Sequence, residues 1–187
     1  MKIPIEISSR HVHVSRKDVD ILFGKGYKLK ILKKLSQPGE FASKETVTLI
    51  NNDKKIGRVR VLGPERKITQ VELAKTDAIH LGLDAPLRES GNLNKSHGIM
   101  IKGPKGKVNL SKGVIIAKRH LHVSESDAKR LKIKDGQDIG IKILGNRETI
   151  YYKVKVRVNS KFKLAVHLDT DEGNAASVEK KTYGEIV

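Results

Sequence analysis

One phrase of seven residues occurs twice in this chain of 187 residues, and the repetition limits the possible folds more than any other feature. The copies occupy residues 9–15 and 118–124, and they hold four of the seven histidines. A single His-x-His step carries little information, whereas its recurrence inside a repeated phrase indicates a chain built from two related halves. The two steps are His11 with His13, and His120 with His122.

The spacing of each histidine pair suits a β-strand. On a strand, residues i and i+2 point to the same face, so both imidazoles of a pair can reach a single ion. The residue between them, Val12 or Leu121, then packs into the opposite, apolar face. Ser15 and Ser124 end the two phrases and are good N-caps, so each pair is predicted to lie on a strand that leads into a helix.

Most of the remaining sequence predicts short strands. The segments are rich in β-branched residues and are separated by Gly, Asn or Pro. Helices are predicted at Arg16–Phe23, which ends before Gly24, at Glu125–Leu131 and at residues 76–81. Residues 169–174 resemble a carboxylate-rich metal loop but are interpreted as the cap of a further short helix. This pattern favours all-β barrels or sandwiches with brief helices over an α/β sheet. Strands are predicted at residues 3–9, 46–50, 56–62, 68–73, 99–102, 114–118, 138–143, 149–158 and 163–168.

The repeat extends beyond the histidine phrases. Aligning Val59 with Val154 superposes two alternating strands, and the same offset places Glu72 at the position of His167. Each half therefore supplies one His-x-His step and one further side chain able to bind a metal. The offset between Val59 and Val154 is shorter than the offset between His11 and His120. The first half therefore carries extra residues between these positions, which we place within residues 24–45.

Three histidine or carboxylate ligands with open coordination positions are the usual set of a catalytic zinc site. An isolated His-x-His is more often a strand with two ordinary histidines, but the repeat, with a third ligand in register, favours metal binding. A pseudo-two-fold relation between the halves would bring both sets to one cleft as a two-metal site. His80 and His97 have no repeat partner and are interpreted as ordinary histidines. The first set is His11, His13 and Glu72, and the second is His120, His122 and His167.

Arginines near these ligands are candidates for binding an anion. Residues 62–66 are predicted to form a tight turn that ends a strand and places Arg66 shortly before Glu72. A guanidinium there can hold a phosphate or carboxylate with a bidentate fork, although a solvent-facing arginine on a hairpin is the alternative. Arg10 and Arg119 precede the two histidine pairs, and their repetition indicates a structural task near the ligands. Weaker candidates for an anionic groove are Lys33, Lys34, Ser36, Gln37 and Arg60.

Composition narrows the classes of function. The net charge of +17 favours an anionic partner, although the lysines are spread over the whole chain, as on an ordinary solvated surface. Aromatic residues make up only 4%, which disfavours the stacking platforms of single-strand binders. The lack of cysteine excludes a thiolate zinc site and an acyl-cysteine intermediate. No segment has the length of a membrane span or the pattern of a signal peptide.

Several motifs together resemble one family. In chain order they are IEISSRHVHVS, LSQPGEFA, VLGPER, TQVE, AKRHLH and HLDTDEGN, so the similarity runs over nearly the whole chain. These segments look like those of the PduL-type phosphotransacylases, also called phosphate propanoyltransferases. The resemblance implies an enzyme that uses two zinc ions per chain and exchanges acyl groups between coenzyme A and phosphate.

The resemblance also implies roles for individual residues. Arg66 matches the catalytic arginine that binds phosphate in the family. The first zinc triplet is matched by His11, His13 and Glu72, and the second by His120, His122 and His167. The positions where the family contacts coenzyme A are matched by Ser8, Lys33, Arg60, Leu62, His167 and Asn174.

The implied architecture is two β-barrels capped by short helices, paired as a homodimer. One barrel would combine residues 1–9 with 118–187, and the other would use residues 10–117, including the insertion near residues 24–45. Members of the family found in bacterial microcompartments carry an N-terminal helical extension, whereas here the motif begins almost at the first residue. We therefore expect a cytoplasmic enzyme rather than one in a microcompartment lumen, with no nucleic-acid or membrane partner.

The expected reaction converts an acyl-CoA (acetyl or propanoyl) and inorganic phosphate into an acyl phosphate and coenzyme A, reversibly. Phosphate held by Arg66 would attack the thioester carbonyl directly at the zinc pair. Two other functions fit parts of the sequence. One is a zinc-dependent thioester or phosphoester hydrolase that uses the same ligands, and the other is a basic nucleic-acid-binding β-barrel in which a metal would matter little.

Overall fold

The computed structural model describes residues 1–187 as a mainly β protein with fourteen strands and four short helices. The chain divides into two compact units. We call Arg10–Ala117 the middle unit, and Met1–Ser9 together with Lys118–Val187 the terminal unit. The predicted fold class, two β-barrels with short helices, is confirmed. None of the helices combines the length and the apolar composition that crossing a bilayer requires.

The middle unit is a closed barrel of six strands with two short strands added at its side. Its elements are β2 (His11–Ser15), α1 (Arg16–Phe23), β3 (Ile31–Lys34), β4 (Phe41–Asn51), β5 (Lys54–Arg66), β6 (Gln70–Leu73), α2 (Lys75–His80), β7 (Leu87–Arg88), β8 (His97–Lys102) and β9 (Lys107–Ala117). The barrel wall follows the order β4–β5–β2–β6–β9–β8 and closes because β8 pairs with β4. The added strands β3 and β7 pair with β4 and β9.

The terminal unit is a closed barrel of six strands without added strands. Its elements are β1 (Ile3–Ile7), β10 (His120–Val123), α3 (Glu125–Leu131), β11 (Asp138–Ile143), β12 (Thr149–Val158), β13 (Ala165–Leu168), α4 (Thr170–Ala175) and β14 (Tyr183–Ile186). The wall follows the order β1–β13–β10–β12–β11–β14 and closes because β14 pairs with β1.

Both barrels have the same ring of strands, as the internal repeat requires. In each, the strand with the histidine pair lies between a parallel and an antiparallel neighbour: β2 between β5 and β6, and β10 between β12 and β13. The strand that precedes each histidine phrase belongs to the barrel of the other repeat. β1 pairs in parallel with β13, whereas β9 pairs in parallel with β6. Each repeat therefore contributes its first strand to the barrel that the other repeat forms.

Alternation along the central strands separates the barrel interior from the outer face. Successive side chains on a strand point to opposite sides, so the apolar residue of each His-x-His step faces inward. Val12 and its cross-strand partners Val61 and Val71 are fully buried in the core of the middle unit. In the terminal unit the same positions hold Leu121, Val156 and Val166, which are also fully buried. The histidines therefore lie on the outer face of each barrel wall.

Serine caps start the helices that follow the histidine strands. The Ser15 hydroxyl accepts a hydrogen bond from the Asp18 N–H at 3.2 Å, and the Ser124 hydroxyl accepts one from the Asp127 N–H at 3.1 Å. The chain leaves α1 at Gly24, whose φ of 111° suits only glycine and whose N–H donates to the Asp20 carbonyl. Both predicted helices, Arg16–Phe23 and Glu125–Leu131, are confirmed.

Two features of the fold differ from the sequence-based expectation. The predicted turn at residues 62–66 is wrong, because β5 continues through Arg66. Its backbone is paired on both sides there, Gly63 with Phe41 of β4 and Arg66 with Ser15 of β2. The strands β3, β7 and β14 were not predicted. β3 lies in the insertion expected within residues 24–45, and its four residues are all exposed.

Close backbone approach at Gly98 provides a test of the middle barrel. A Cβ atom on Gly98 would lie 2.1 Å from the backbone oxygen of Leu110 on β9, so Gly98→Ala must push β8 and β9 apart. We expect a loss of about 1–3 kcal/mol in the free energy of unfolding, measured by urea denaturation. Gly57→Ala is the control, because its Cβ would meet only the Thr48 hydroxyl at 3.9 Å. Equal midpoints for the two variants would contradict the β8–β9 packing.

Candidate functional site

The first candidate metal group lies on the outer face of the middle unit, where β2 and β6 run side by side. His11 is directly opposite Glu72, and the His11 Nε2 atom lies 3.5 Å from the Glu72 Oε2 atom. The Nε2 atoms of His11 and His13 are 3.1 Å apart, and that of His13 is 3.8 Å from the Glu72 Oε1 atom. All three side chains are buried. Strand pairing thus brings together the three ligands predicted for the first site.

The second candidate metal group is built in the same way in the terminal unit. His120 on β10 is directly opposite His167 on β13, and their rings are stacked with centroids 5.1 Å apart. The His122 ring lies edge-on to both, at 4.6 Å from the His120 centroid and 4.8 Å from the His167 centroid. In each group the candidate ligand atoms lie within 4.8 Å of one another. His167 therefore takes the place that Glu72 has in the first group, as the repeat predicted.

The surroundings keep one imidazole of each group neutral, that of His13 in the first group and that of His122 in the second. Burial, together with the neighbouring His11 and the Arg66 guanidinium, holds the pKa of His13 far below its usual range. Burial, together with His120, His167 and Arg157, lowers the pKa of His122 to about 2. Because a neutral imidazole keeps one lone pair, both rings are in the form that binds a metal at pH 7.

Contacts of the ring nitrogens fit a bound cation. The Nδ1 atom of His120 lies 2.9 Å from the backbone oxygen of Lys118, and since a carbonyl only accepts, Nδ1 carries the proton and Nε2 keeps its lone pair. The Nδ1 atoms of His13 and His122 are buried and form no hydrogen bond. Buried nitrogens seldom lack a partner. The imidazole and carboxylate donors of the two groups therefore suit one divalent cation each.

The arginine that precedes each histidine pair has a structural partner. Arg10 binds Asp77, the third residue of α2, at 2.9 Å. Arg119 binds Glu172, the third residue of α4, in the equivalent position of the other unit. Burial and the nearby Asp169 raise the pKa of Glu172, and Arg119 acts against that rise. These ion pairs tie each histidine strand to the helix behind the third ligand, which agrees with the structural task predicted for both arginines.

Comparison with known proteins gives the family. A sequence profile described as phosphate propanoyltransferase matches residues 4–179. A phosphate propanoyltransferase from Lachnoclostridium phytofermentans is 47% identical over 186 residues, which cover 99% of this chain and 85% of the relative. Another, from Thermotoga maritima, is 50% identical over 177 residues, which cover 93% and 83%.

The chain belongs to the phosphate propanoyltransferase family. This confirms the resemblance found in the sequence and makes the chain an enzyme of the transferase class. Neither His80 nor His97 belongs to a candidate metal group, and their interpretation as ordinary histidines stays a prediction.

Glu72 is held by two side chains that the sequence did not single out. In this member of the phosphate propanoyltransferase family, the Ser90 hydroxyl donates to the Glu72 Oε1 atom at 2.7 Å, and the Gln70 amide donates to the same oxygen at 2.5 Å. Gln70 in turn is oriented by the Gly91 N–H, which donates to its side-chain oxygen at 2.8 Å. Gln70 lies two residues from Glu72 on one face of β6, a spacing that could have pointed to it. Ser90 carries no such signal, because it lies on the connection that follows β7.

Ser90 also connects the candidate metal group to Arg66. The Arg66 guanidinium donates to the Ser90 hydroxyl at 3.2 Å and to the Glu40 carboxylate at 3.2 Å. The Arg66 side chain is 36% exposed, so its remaining N–H groups can reach an anion from solvent. The Arg66 guanidinium therefore binds the same serine hydroxyl that holds Glu72. It reaches this serine because β5 continues through position 66.

The residues expected to contact coenzyme A are distributed over both units. In the middle unit, Lys33, Ala42, Leu62 and His13 are successive partners across β3, β4, β5 and β2. Directly opposite residues share a face, so Lys33 and Leu62 lie on the face that carries the first metal group. Arg60 is the partner of His11 on that same face, and its guanidinium donates to the Ser43 and Lys44 carbonyls.

In the terminal unit the expected contacts lie near the second metal group. Ser8 follows β1, and its N–H donates to the Leu168 carbonyl at 2.8 Å, one residue after His167. Asn174 is exposed on α4, which starts at the Asp169 cap shortly after β13. Strand β1 also places Glu6 opposite His167, with the carboxylate 3.9 Å from the imidazole Nδ1.

Removing the Ser90 hydroxyl tests whether it positions Glu72. Ser90→Ala deletes one of the two side-chain donors to the Oε1 atom, and loss of such a supporting contact typically weakens metal binding by about 10–100-fold. We expect Co²⁺ absorption titrations to show about tenfold weaker binding at one of two sites. Ser160→Ala, in an exposed loop of the terminal unit, is the control. Unchanged binding at both sites in Ser90→Ala would show that Ser90 does not hold a metal ligand.

Proposed function

We propose that the chain transfers a short acyl group, acetyl or propanoyl, reversibly between coenzyme A and inorganic phosphate. The observation that carries the proposal is the presence of two ligand triplets at equivalent positions of two barrels, in a chain of the phosphate propanoyltransferase family. A triplet in each repeat, rather than in one, is the arrangement expected for an enzyme that handles two reactants with metal ions.

Each triplet would hold one divalent cation, and its nitrogen and carboxylate donors suit zinc. His11, His13 and Glu72 would hold one ion, and His120, His122 and His167 the other. When bound, zinc supplies a Lewis acid for a thioester carbonyl and a soft partner for a thiolate. The protein's own part is to present neutral imidazoles, which the lowered pKa values of His13 and His122 ensure.

Arg66 would bind and orient the phosphate. Its planar guanidinium can donate two parallel hydrogen bonds to phosphate oxygens, which fixes the direction of the attacking oxygen. That oxygen forms a bond to the thioester carbonyl carbon, the carbon–sulfur bond breaks, and coenzyme A leaves as the thiolate. The chain has no cysteine, so the acyl group does not pass through a protein thioester, and direct transfer to phosphate is the simplest course.

Residues on the two metal-bearing faces would bind coenzyme A. Lys33 and Arg60 offer cationic groups to its phosphates, and Leu62 offers an apolar contact to the pantetheine arm. Ser8, His167 and Asn174 would contribute from the terminal unit. Five lysines within residues 25–34, in β3 or just before it, suit a ligand that carries several phosphates. They are Lys25, Lys28, Lys30, Lys33 and Lys34. We further propose that the enzyme acts as a homodimer.

Thiol release from propanoyl-CoA tests the proposed reaction. We expect release to require inorganic phosphate, to stop after treatment with a chelator that removes two metal ions per chain, and to return when zinc is added. Release that is equally fast without phosphate would identify a zinc-dependent thioester hydrolase instead. Full activity of metal-free protein would contradict the metal-dependent proposal, including the hydrolase.

Substitution of Arg66 tests the phosphate site. Removing one electrostatic donor from an active site commonly lowers kcat by about 10² to 10³, so we expect a fall of that size in Arg66→Ala with both metal sites still filled. Lys67→Ala, which removes the neighbouring exposed cation, is the control and should retain activity. Normal turnover of Arg66→Ala at saturating phosphate would exclude the assigned role.

A further inference from the structure

A phenylalanine lies against the second metal group. The Phe162 ring packs on the His122 imidazole, with ring centroids 4.1 Å apart and an angle of 36° between the planes. Phe162 belongs to the loop that joins β12 to β13, and two backbone hydrogen bonds hold this loop in place. The Asn159 N–H donates to the Val123 carbonyl, next to His122, and the Phe162 N–H donates to the Asn159 carbonyl. The ring position is therefore determined by the same strand that carries the ligand.

The Phe162 ring is only partly covered. His122 is buried, whereas Phe162 is half-buried and has exposed neighbours on both sides in the chain, Lys161 and Lys163. The Arg157 guanidinium lies 6.0 Å from the ring centroid, which is within the range of a cation–π contact. Part of an apolar ring thus remains accessible beside a candidate ligand triplet, between two exposed lysines.

The corresponding connection of the middle unit carries no aromatic side chain. There the chain passes from β5 to β6, and Arg66, the last residue of β5, donates to the Ser90 hydroxyl, which in turn donates to Glu72 of the first triplet. The first triplet therefore has a guanidinium bound to the serine that holds Glu72, and the second has a phenyl ring packed on His122. The two barrels share one strand arrangement, but a cationic side chain lies near one triplet and an apolar ring lies near the other.

We propose that the Phe162 ring packs against the alkyl group of the acyl thioester and so contributes to the choice of acyl group. This inference rests on the proposed function. Of the two reactants, phosphate is wholly polar and suits Arg66, whereas the acyl chain is apolar and requires an apolar contact near the thioester carbonyl. Phe162 supplies such a contact beside His122. Each methylene group that lies on the ring then adds to transition-state binding.

A role limited to covering His122 makes a different prediction. If the ring served only to hold the imidazole, its removal would weaken metal binding and lower the rate with every acyl-CoA by the same factor. A ring that contacts the alkyl group affects longer chains more than acetyl. The ratio of kcat/KM for propanoyl-CoA to that for acetyl-CoA separates the two roles, because uniform losses cancel in the ratio.

Four variants of the zinc-loaded enzyme test the inference. Phe162→Ala removes the ring, and Phe162→Gln keeps bulk over His122 but makes it polar. In both we expect the propanoyl-to-acetyl ratio to fall about tenfold, the size expected when one methylene loses its apolar contact. Phe162→Leu keeps an apolar surface and should retain most of the ratio. Tyr152→Leu, which alters an exposed aromatic residue of the same unit, is the matched control and should leave the ratio unchanged.

A binding measurement makes the test independent of turnover. Calorimetric titration of propanoyl-CoA and of coenzyme A, without phosphate, should show that the affinity gained from the propanoyl group is lost in Phe162→Gln and kept in Phe162→Leu. An unchanged or increased ratio in Phe162→Ala and Phe162→Gln, or a uniform loss accompanied by weaker Co²⁺ binding, would overturn the inference. Absence of phosphate-dependent thiol release in the unaltered protein would instead overturn the proposed function, and the calorimetric comparison would still decide whether Phe162 contacts the acyl group.

Discussion

Cross-strand register is the constraint on which both candidate metal groups depend. His11 pairs with Glu72 and His120 pairs with His167, while Val12 and Leu121 fill the barrel interiors. A shift of one residue in either pairing would turn the ligands inward and the core valines outward. The hydrophobic core and the ligand sets are therefore specified by the same alternation, so the packing that stabilises each barrel also positions its ligands.

Duplication of this unit gives the chain two similar sites with different neighbours. The ion pairs Arg10–Asp77 and Arg119–Glu172 keep the same supporting contact in both repeats. The third candidate ligand differs, a carboxylate in one triplet and an imidazole in the other. The nearby side chains differ too, with Arg66 at the end of β5 in one unit and Phe162 in the β12–β13 loop of the other. In the proposed function, one barrel supplies a guanidinium for phosphate and the other supplies an apolar ring for the acyl group. A two-substrate transfer reaction requires both.

Local sequence signals predicted the bounds of helices and strands that depend on interactions between residues close in the chain. The serine caps and the glycine after Phe23 delimited α1, and strict alternation delimited β12. The predicted bounds of both agree with the structure. The turn predicted at residues 62–66 was wrong for a non-local reason. Gly-Pro usually interrupts a strand, but here β4 and β2 pair with both sides of the segment and keep it extended.

By itself the sequence determined the duplication, the six candidate metal ligands and the family, because each is recorded in residue identity and spacing along the chain. Only the tertiary structure decided the pairing of the short strand β3 and the contacts of Ser90 with Glu72 and of Phe162 with His122. These features join segments far apart in the sequence or depend on the path of a loop. Their energies come from burial and hydrogen bonding between partners that no local pattern specifies.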